Sequence, residues 1–330
     1  MSNVGMKRIP AIGCLFVSLA LLPAHAEKKQ APTAWTDPKT ASVEDPDFLI
    51  QGEYRDENMG AQVVALSGGN FDVYLHEGGL PGAGWENGKA RTAVKGLRVK
   101  ESSETDRFTI ALEEGFLTLK TPDGTLRKLT RIERESSTLG AKPPKGAVVL
   151  FDGRNTDAWE NGKMIDGLLQ ATNVISKQSF ASYQLHLEFR TPYMPAARGQ
   201  GRGNSGIYHS GRWETQILDS FGLEGKDNET GGIYSVAQPR LNMCLPPLAW
   251  QTYDVDFTAA KFDAEGKRIA WPRITVKLNG VLVHEDLELT KENTASAPLN
   301  SPLTSPEGPV FLQNHSNPVA FRNIWIKPVR

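Results

Sequence analysis

The sequence has little to cross-link it and little to bias its charge. Two cysteines stand in 330 residues, Cys14 and Cys244. Cys14 lies inside an apolar N-terminal run, so loss of that run leaves Cys244 alone and excludes an intramolecular disulfide. Basic residues number 37 against 38 acidic ones, a net charge of −1. That balance lacks the electrostatic footprint of a protein that binds nucleic acid or an anionic membrane. No zinc-type Cys/His spacing, nucleotide-binding loop or G-x-S-x-G nucleophile motif occurs. Long helical periodicities are scarce, while 31 glycines and 21 prolines punctuate short runs, which predicts an all-β chain. The apolar run at 12–22 is too short to span a bilayer. Lys7-Arg8 before it and Ala24-His25-Ala26 after it read as a signal peptide at 1–26. The expectation is a bacterial protein exported to the periplasm or beyond, with no transmembrane segment in the mature chain.

What is present is a series of strand signals. Residues 27–44 are polar, carry Pro32 and Pro38, and are expected to be a flexible leader. Strand-like runs at 48–54, 62–67, 70–76, 108–112, 115–120 and 126–132 predict a small β-rich accessory domain over 45–138. Pro143-Pro144 marks a linker at 139–146. Further strands at 147–153, 167–172, 182–190, 206–209, 213–218, 251–258, 273–278, 281–286, 310–313 and 320–327 predict a two-sheet jelly-roll β-sandwich over 147–330. In the run at 182–190, Tyr183, Leu185, Leu187 and Phe189 face inward, while Gln184, His186, Glu188 and Arg190 face outward. Asp254 and Asp256 share a face that reads as solvated. Asn279-Gly280 between two alternating strands signals a tight hairpin.

The chemistry concentrates in one stretch. A glycine-rich approach, Gly199-Gln200-Gly201-Arg202-Gly203-Asn204, enters a hairpin whose second strand starts at Trp213. Alternation puts Glu214, Gln216 and Leu218 on one face and Trp213, Thr215 and Ile217 on the other, with Asp219 at the strand's end. Such a face is either the solvated side of a sheet or a polar site. Asn204 and Tyr208 beside it favour the site.

Several of these residues carry a family resemblance. Leu150-Phe151-Asp152-Gly153 with Trp159, Gly203-Asn204-Ser205-Gly206-Ile207-Tyr208, Trp213 through Asp219, Gly308 through His315, and Phe321-Arg322-Asn323-Ile324-Trp325-Ile326 resemble the 3-keto-disaccharide hydrolase domain family. The likeness covers the whole second domain. The first domain resembles an accessory module fused to that domain in planctomycete proteins. The resemblance implies a concanavalin- or laminarinase-like jelly roll and action on glycosides oxidised at C3. A C3 ketone acidifies the C2 proton and makes the C1 oxygen a leaving group, so cleavage runs by elimination and hydration, or by direct hydrolysis. Such a site needs a base, a donor for the enolate oxygen and an acid.

Glu214 is the first candidate for the base or for a metal ligand, and Asp219 the second. His315 is a candidate acid or ligand, or else a plain surface-turn histidine. Asn204, Gln216 and Gln313 are candidates for binding sugar hydroxyls, Tyr208 and Tyr234 for stacking on a ring, and Arg322 for pairing an oxyanion or for packing its guanidinium. The residue types leave open whether a divalent cation takes part. The family pattern has Asp-His-Gly where this chain has Asn314-His315-Ser316, which removes one carboxylate from a metal site there. The alternative reading is a non-catalytic carbohydrate-binding jelly roll of the cell envelope.

Overall fold

The computed structural model describes residues 1–2 and 32–329, so the expected signal peptide lies outside the described residues save for its first two. Strands make up 43% of the described residues and helix 5%, an all-β protein built as two parts. In the first, eight antiparallel strands follow the spatial order Arg91–Arg98, Asn70–Glu77, Met59–Ala65, Gly52–Arg55, Leu126–Ile132, Phe116–Lys120, Thr109–Glu113, Ser102–Glu104. A bridge between Val99 and Leu112 brings the two ends of this order together, so the sheet curls around Tyr54, Val63, Phe71, Val73, Ile110, Leu117 and Leu129.

The second part is the expected jelly-roll sandwich. One sheet runs Met164–Ile165, Leu168–Gln170, Ala320–Pro328, Tyr183–Arg190, Gln251–Thr258, Arg273–Leu278, Val281–Glu288, with Val148–Phe151 also paired to Ala320–Pro328. The other runs Trp159–Glu160, Val174–Ser176, Phe311–Leu312, Ser205–His209, Trp213–Ile217. Between them lie Leu185, Leu187, Ile207, Trp213, Ile217 and Val255. Two ring pairs bind strand to strand on this core face, Tyr183 on Phe257 at 5.1 Å and Phe189 on Tyr253 at 5.0 Å. The hairpin after Leu278 has Asn279 at φ 54° and Gly280 at φ 80°, the left-handed pair that a type I′ turn requires.

Four expectations are corrected. Of the stretch read as a flexible leader, Pro38–Glu44 is a helix, capped by the Asp37 carboxylate, which accepts from the Lys39 and Thr40 amides. Trp35 before it packs against Tyr193 at 5.4 Å. The run at 48–54 is a helical turn, Asp47–Ile50, before the strand begins at Gly52. The outward face of Tyr183–Arg190 is covered: His186 is 0% exposed and Glu188 1%. The segment after the first sheet crosses it, with the Gly140 amide donating to Glu188 at 2.6 Å and Asn323 and Trp325 donating to the Ala141 carbonyl. Asp254 is therefore no solvated carboxylate; it pairs with His186 at 2.6 Å and accepts from the Thr138 hydroxyl. Burial opposes charge on His186, but Asp254 and Glu188 beside it raise its pKa on balance.

Candidate active site

Ser205–His209 and Trp213–Ile217 pair antiparallel, with Tyr208 opposite Glu214 and Gly206 opposite Gln216. The turn between them places both Ser210 and Gly211 at positive φ. Alternation then separates two environments. His209 enters the sandwich core, where it meets the Tyr183 hydroxyl and Thr215 Oγ1, each at 3.0 Å, and burial pushes its pKa down to about 3. Tyr208, Glu214 and Gln216 face the other way, toward a polar pit.

The pit is small, about 50 Å³, and is walled by Gln200, Asn204, Glu214, Gln216, Tyr234, Ala295, Ser296, Gln313 and His315. It shares Ser296, Gln313 and His315 with an open groove of about 540 Å³ whose other walls include Asn161, Asn173, Ile175, Phe311 and Asn314. The pit has room for reacting groups rather than a ring, and the groove has room for sugars.

Glu214 is 3% exposed. Burial pushes its carboxyl up to about 7, against the pull of the Tyr208 hydroxyl 2.9 Å from Oε2. Tyr208 also lies 2.9 Å from the Ala295 carbonyl and receives the Gln313 amide at 3.0 Å. Thr294 Oγ1 accepts from the Glu214 backbone amide and fixes the strand against the 290s loop. Gly206 makes space for the acid, since a Cβ there would stand 2.1 Å from Glu214 Oε1.

The amide wall is braced as a chain. Asn204 donates to the Gln200 carbonyl and to Gln200 Oε1; Gln216 donates to the same Oε1 at 3.2 Å; Gln200 donates to the Asn228 carbonyl at 2.9 Å. Asn204 Oδ1 is buried without a partner. An unpaired acceptor beside a pit is a place for a substrate hydroxyl to donate.

Of the residues picked from the sequence, Asn204, Glu214, Gln216, Tyr234, Gln313 and the exposed His315 come together here, with Tyr208 bonded to two of them. Asp219 does not. Its Oδ2 takes the Arg202 Nε–H at 2.6 Å in a buried ion pair. Arg322 lies on the larger sheet, paired to Glu188 at 2.6 Å and stacked 4.0 Å over the Trp250 ring. Gln200, Thr294, Ser296, Asn161 and Asn173 were not picked out. Their only sequence signals are the glycines flanking Gln200 and the turn-forming character of the two asparagines, at φ 58° and 59°.

Among the described residues no three of His, Cys, Asp and Glu converge as a ligand cluster. At the pit Glu214 and His315 have only amides and hydroxyls beside them, and Glu214 already holds a hydroxyl partner. This donor set is a poor fit for a divalent cation.

Comparison with known proteins gives three findings. The family model for 3-keto-disaccharide hydrolases, described as a 3-keto-alpha-glucoside-1,2-lyase-like domain, matches residues 146–327. A putative glycosyl hydrolase from Parabacteroides distasonis ATCC 8503, solved at 2.13 Å, is 32% identical, with a TM-score of 0.50, over 56% of this chain and 85% of its own. A second putative glycosyl hydrolase from the same organism, solved at 1.70 Å, is 18% identical over 56% of this chain and 95% of its own, with a TM-score of 0.41. No curated protein matches. The resemblance read from the strand motifs thus holds over more than half of the chain, and the protein belongs to the 3-keto-alpha-glucoside-1,2-lyase-like family, carbohydrate-active and of glycosyl hydrolase type.

Proposed function

We propose that the protein is an exported enzyme that cleaves 3-keto-glycosides by elimination across C1 and C2, followed by hydration. The observation that carries this reading is Glu214, a buried carboxyl with its pKa raised to about 7 at the floor of an amide-lined pit. A base working near neutral pH needs that value. The C2 proton of a 3-keto sugar, acidified by the neighbouring carbonyl, suits a carboxylate base.

In the step proposed, a Glu214 oxygen takes the C2 proton and the C–H electron pair forms the C2=C3 enolate. Asn204 Oδ1, which has no partner, accepts from a ring hydroxyl, the second N–H of Gln313 is directed at the enolate oxygen, and Gln216 holds the amide wall through Gln200. The enolate collapses, restores the C3 carbonyl, forms C1=C2 and expels the glycosidic oxygen, which takes a proton from His315 at the rim. Water adding across C1=C2 returns the free 3-keto sugar. The family's description as a 1,2-lyase supports elimination over direct displacement at C1. Export is supported by the Lys7-Arg8, apolar run and Ala24-His25-Ala26 pattern.

The test is a 4-nitrophenyl 3-keto-glucoside deuterated at C2. Release of the phenol with a primary isotope effect, or with loss of deuterium to water, supports the reading. Release with neither would leave direct hydrolysis. Release from the unoxidised glucoside at the same rate would mean an ordinary glycosidase.

A further inference from the structure

The glycine-rich stretch that brings Gln200 and Asn204 to the pit is gripped from the far side by the first domain. Pro32–Arg330 form one compact unit, and two arginines of this stretch reach across it. Arg202, 5% exposed, donates through Nη1 to the Ala65 carbonyl at 3.2 Å while its Nε–H meets Asp219 at 2.6 Å. Arg198 donates through Nη2 to the Leu66 carbonyl at 3.0 Å. Both carbonyls lie at the end of the strand Met59–Ala65. Just upstream, Tyr193 is buried in the first domain's own core and its hydroxyl donates to Asp45 at 3.1 Å. Gly203, at φ 63°, threads between Asp219 and Thr191, where an added Cβ would lie 3.0 Å and 3.2 Å from their Cβ atoms.

We infer that the first domain positions the sugar site, with Arg202 as the positioning residue and Asp219 as its brace. The Arg202–Asp219 pair is costly as a stabilising device. Both charges are buried, and Arg202 Nη2 and Asp219 Oδ1 have no partner. A buried pair with unmet atoms gives little or no net stability over an apolar pair, so its use lies in fixing one geometry. Here the geometry fixed is that of the loop between Arg198 and Asn204. The Arg202 carbonyl accepts from the Asp219 amide at 3.0 Å, and two residues later Asn204 turns into the pit wall. This role rests on the pit being the sugar site.

The test pairs amide hydrogen exchange with kinetics on the full chain. The double variant Arg202→Met/Asp219→Asn removes the clamp without leaving a lone buried charge. Exchange at 199–204 is expected to rise at least about tenfold while the strand at 213–217 stays protected. KM for the 3-keto-glucoside is expected to rise about tenfold with kcat within about twofold, because Asn204 and Gln200 bind rather than react. Arg202→Lys restores the charge but cannot serve both Asp219 and the Ala65 carbonyl, so it falls between the two. Unchanged exchange at 199–204 overturns the clamp whatever the wild-type activity. Faster exchange with unaltered KM overturns the positioning role. Faster exchange in a chain whose wild type turns over no 3-keto-glucoside supports the clamp and sinks the proposed reaction instead. Should the double variant not fold, Arg198→Met, which removes the bond to Leu66 together with two local bonds to the Pro195 and Ala197 carbonyls from an exposed side chain, is expected to shift exchange in the same direction to a smaller extent.

Discussion

The Tyr208 hydroxyl sits 2.9 Å from Glu214 Oε2 and also 2.9 Å from the Ala295 carbonyl, on a residue directly opposite Glu214 in the hairpin. A phenol has one hydrogen and cannot give it to both acceptors at once. With Glu214 neutral, the acid's own O–H donates to the phenol oxygen and the phenol donates to Ala295. With Glu214 ionised, the phenol hydrogen swings to the carboxylate. The pair therefore accommodates either protonation state of Glu214 by hydroxyl rotation, with no change in packing.

Tyr208→Phe removes the one side-chain hydrogen bond that favours ionised Glu214. The pKa of Glu214 is then expected to climb above about 7, and the acid limb of the rate profile to move to higher pH by the same amount. A profile that stays in place with only the plateau lowered would mean that the phenol acts on the substrate and not on the acid.

Glu214→Gln keeps the shape and an acceptor for Tyr208 but removes the base. Turnover is expected to fall by about 10²–10⁴-fold, the usual worth of a positioned proton-transfer group. With the 4-nitrophenyl substrate, whose leaving group needs no acid, the wild-type rate is expected to rise with pH and level off above about 7, since the ionised form is the active one. Full turnover by the variant in a stopped assay with the 3-keto-glucoside would remove Glu214 from the reaction.

The same variant is expected to be the more stable protein at alkaline pH. Glu214 has a folded pKa raised from 4.5 to about 7, so folding favours its neutral form. That contribution is full below the unfolded value and is lost as pH rises through the folded one. The span corresponds to about 3 kcal/mol, an upper figure because relaxation and water entry reduce it. Glutamine never ionises. Calorimetry should therefore find no gap between the two proteins at acid pH and a higher Tm for Glu214→Gln above neutrality. The opposite sign would show that the ionised carboxylate is welcomed by the fold.

How much of this was legible beforehand depends on how local the signal was. Gln251–Thr258 and Arg273–Leu278 could be read to the residue, with Tyr253, Val255 and Phe257 in the one and Ile274, Val276 and Leu278 in the other at alternate positions, and Leu126–Ile132 from the turn that precedes it. Arg91–Arg98 could not. Only Val94 and Leu97 in it are buried, three residues apart, because Gly96 at φ 66° interrupts the pleat. The helix Pro38–Glu44 did carry its signal, an aspartate cap before a proline, but the polar composition around it reads as a leader. At the site, alternation correctly placed Glu214 and Gln216. Asp219 is a candidate by its place at the strand's end and not by alternation; the strand ends at Ile217, and beyond it no period of two says where a side chain points. Gln200, Ser296, Asn161 and Asn173 come from loops, where no periodicity points to a common destination.

Gly206→Ala tests whether the glycine in the strand serves the acid. Gly206 is not among the glycines at positive φ, so the backbone accepts alanine. The new Cβ, however, would lie 2.1 Å from Glu214 Oε1 and 2.8 Å from its Cγ and Cδ. The carboxyl must swing away from Tyr208. A loss of about 10²-fold in kcat/KM is expected with the circular dichroism unchanged, the scale on which a misplaced reacting group is felt. Activity close to wild type would mean that the carboxyl reaches the substrate from a second rotamer.

His315 is exposed on the rim, shared between pit and groove, where a leaving oxygen would depart. If it supplies the proton, its removal should matter in proportion to the basicity of the leaving group. A 4-nitrophenolate leaves unaided, whereas a sugar alkoxide does not. His315→Ala is therefore expected to slow release of a sugar or alkyl alcohol about 10²-fold and that of 4-nitrophenol by less than about threefold. An exposed histidine outside the core should cost little stability when removed, so the comparison is free of a folding effect. Equal losses for the two leaving groups would make His315 a binding residue of the groove, and the proton would then have to come from the carboxyl that Glu214 acquired in the first half of the reaction.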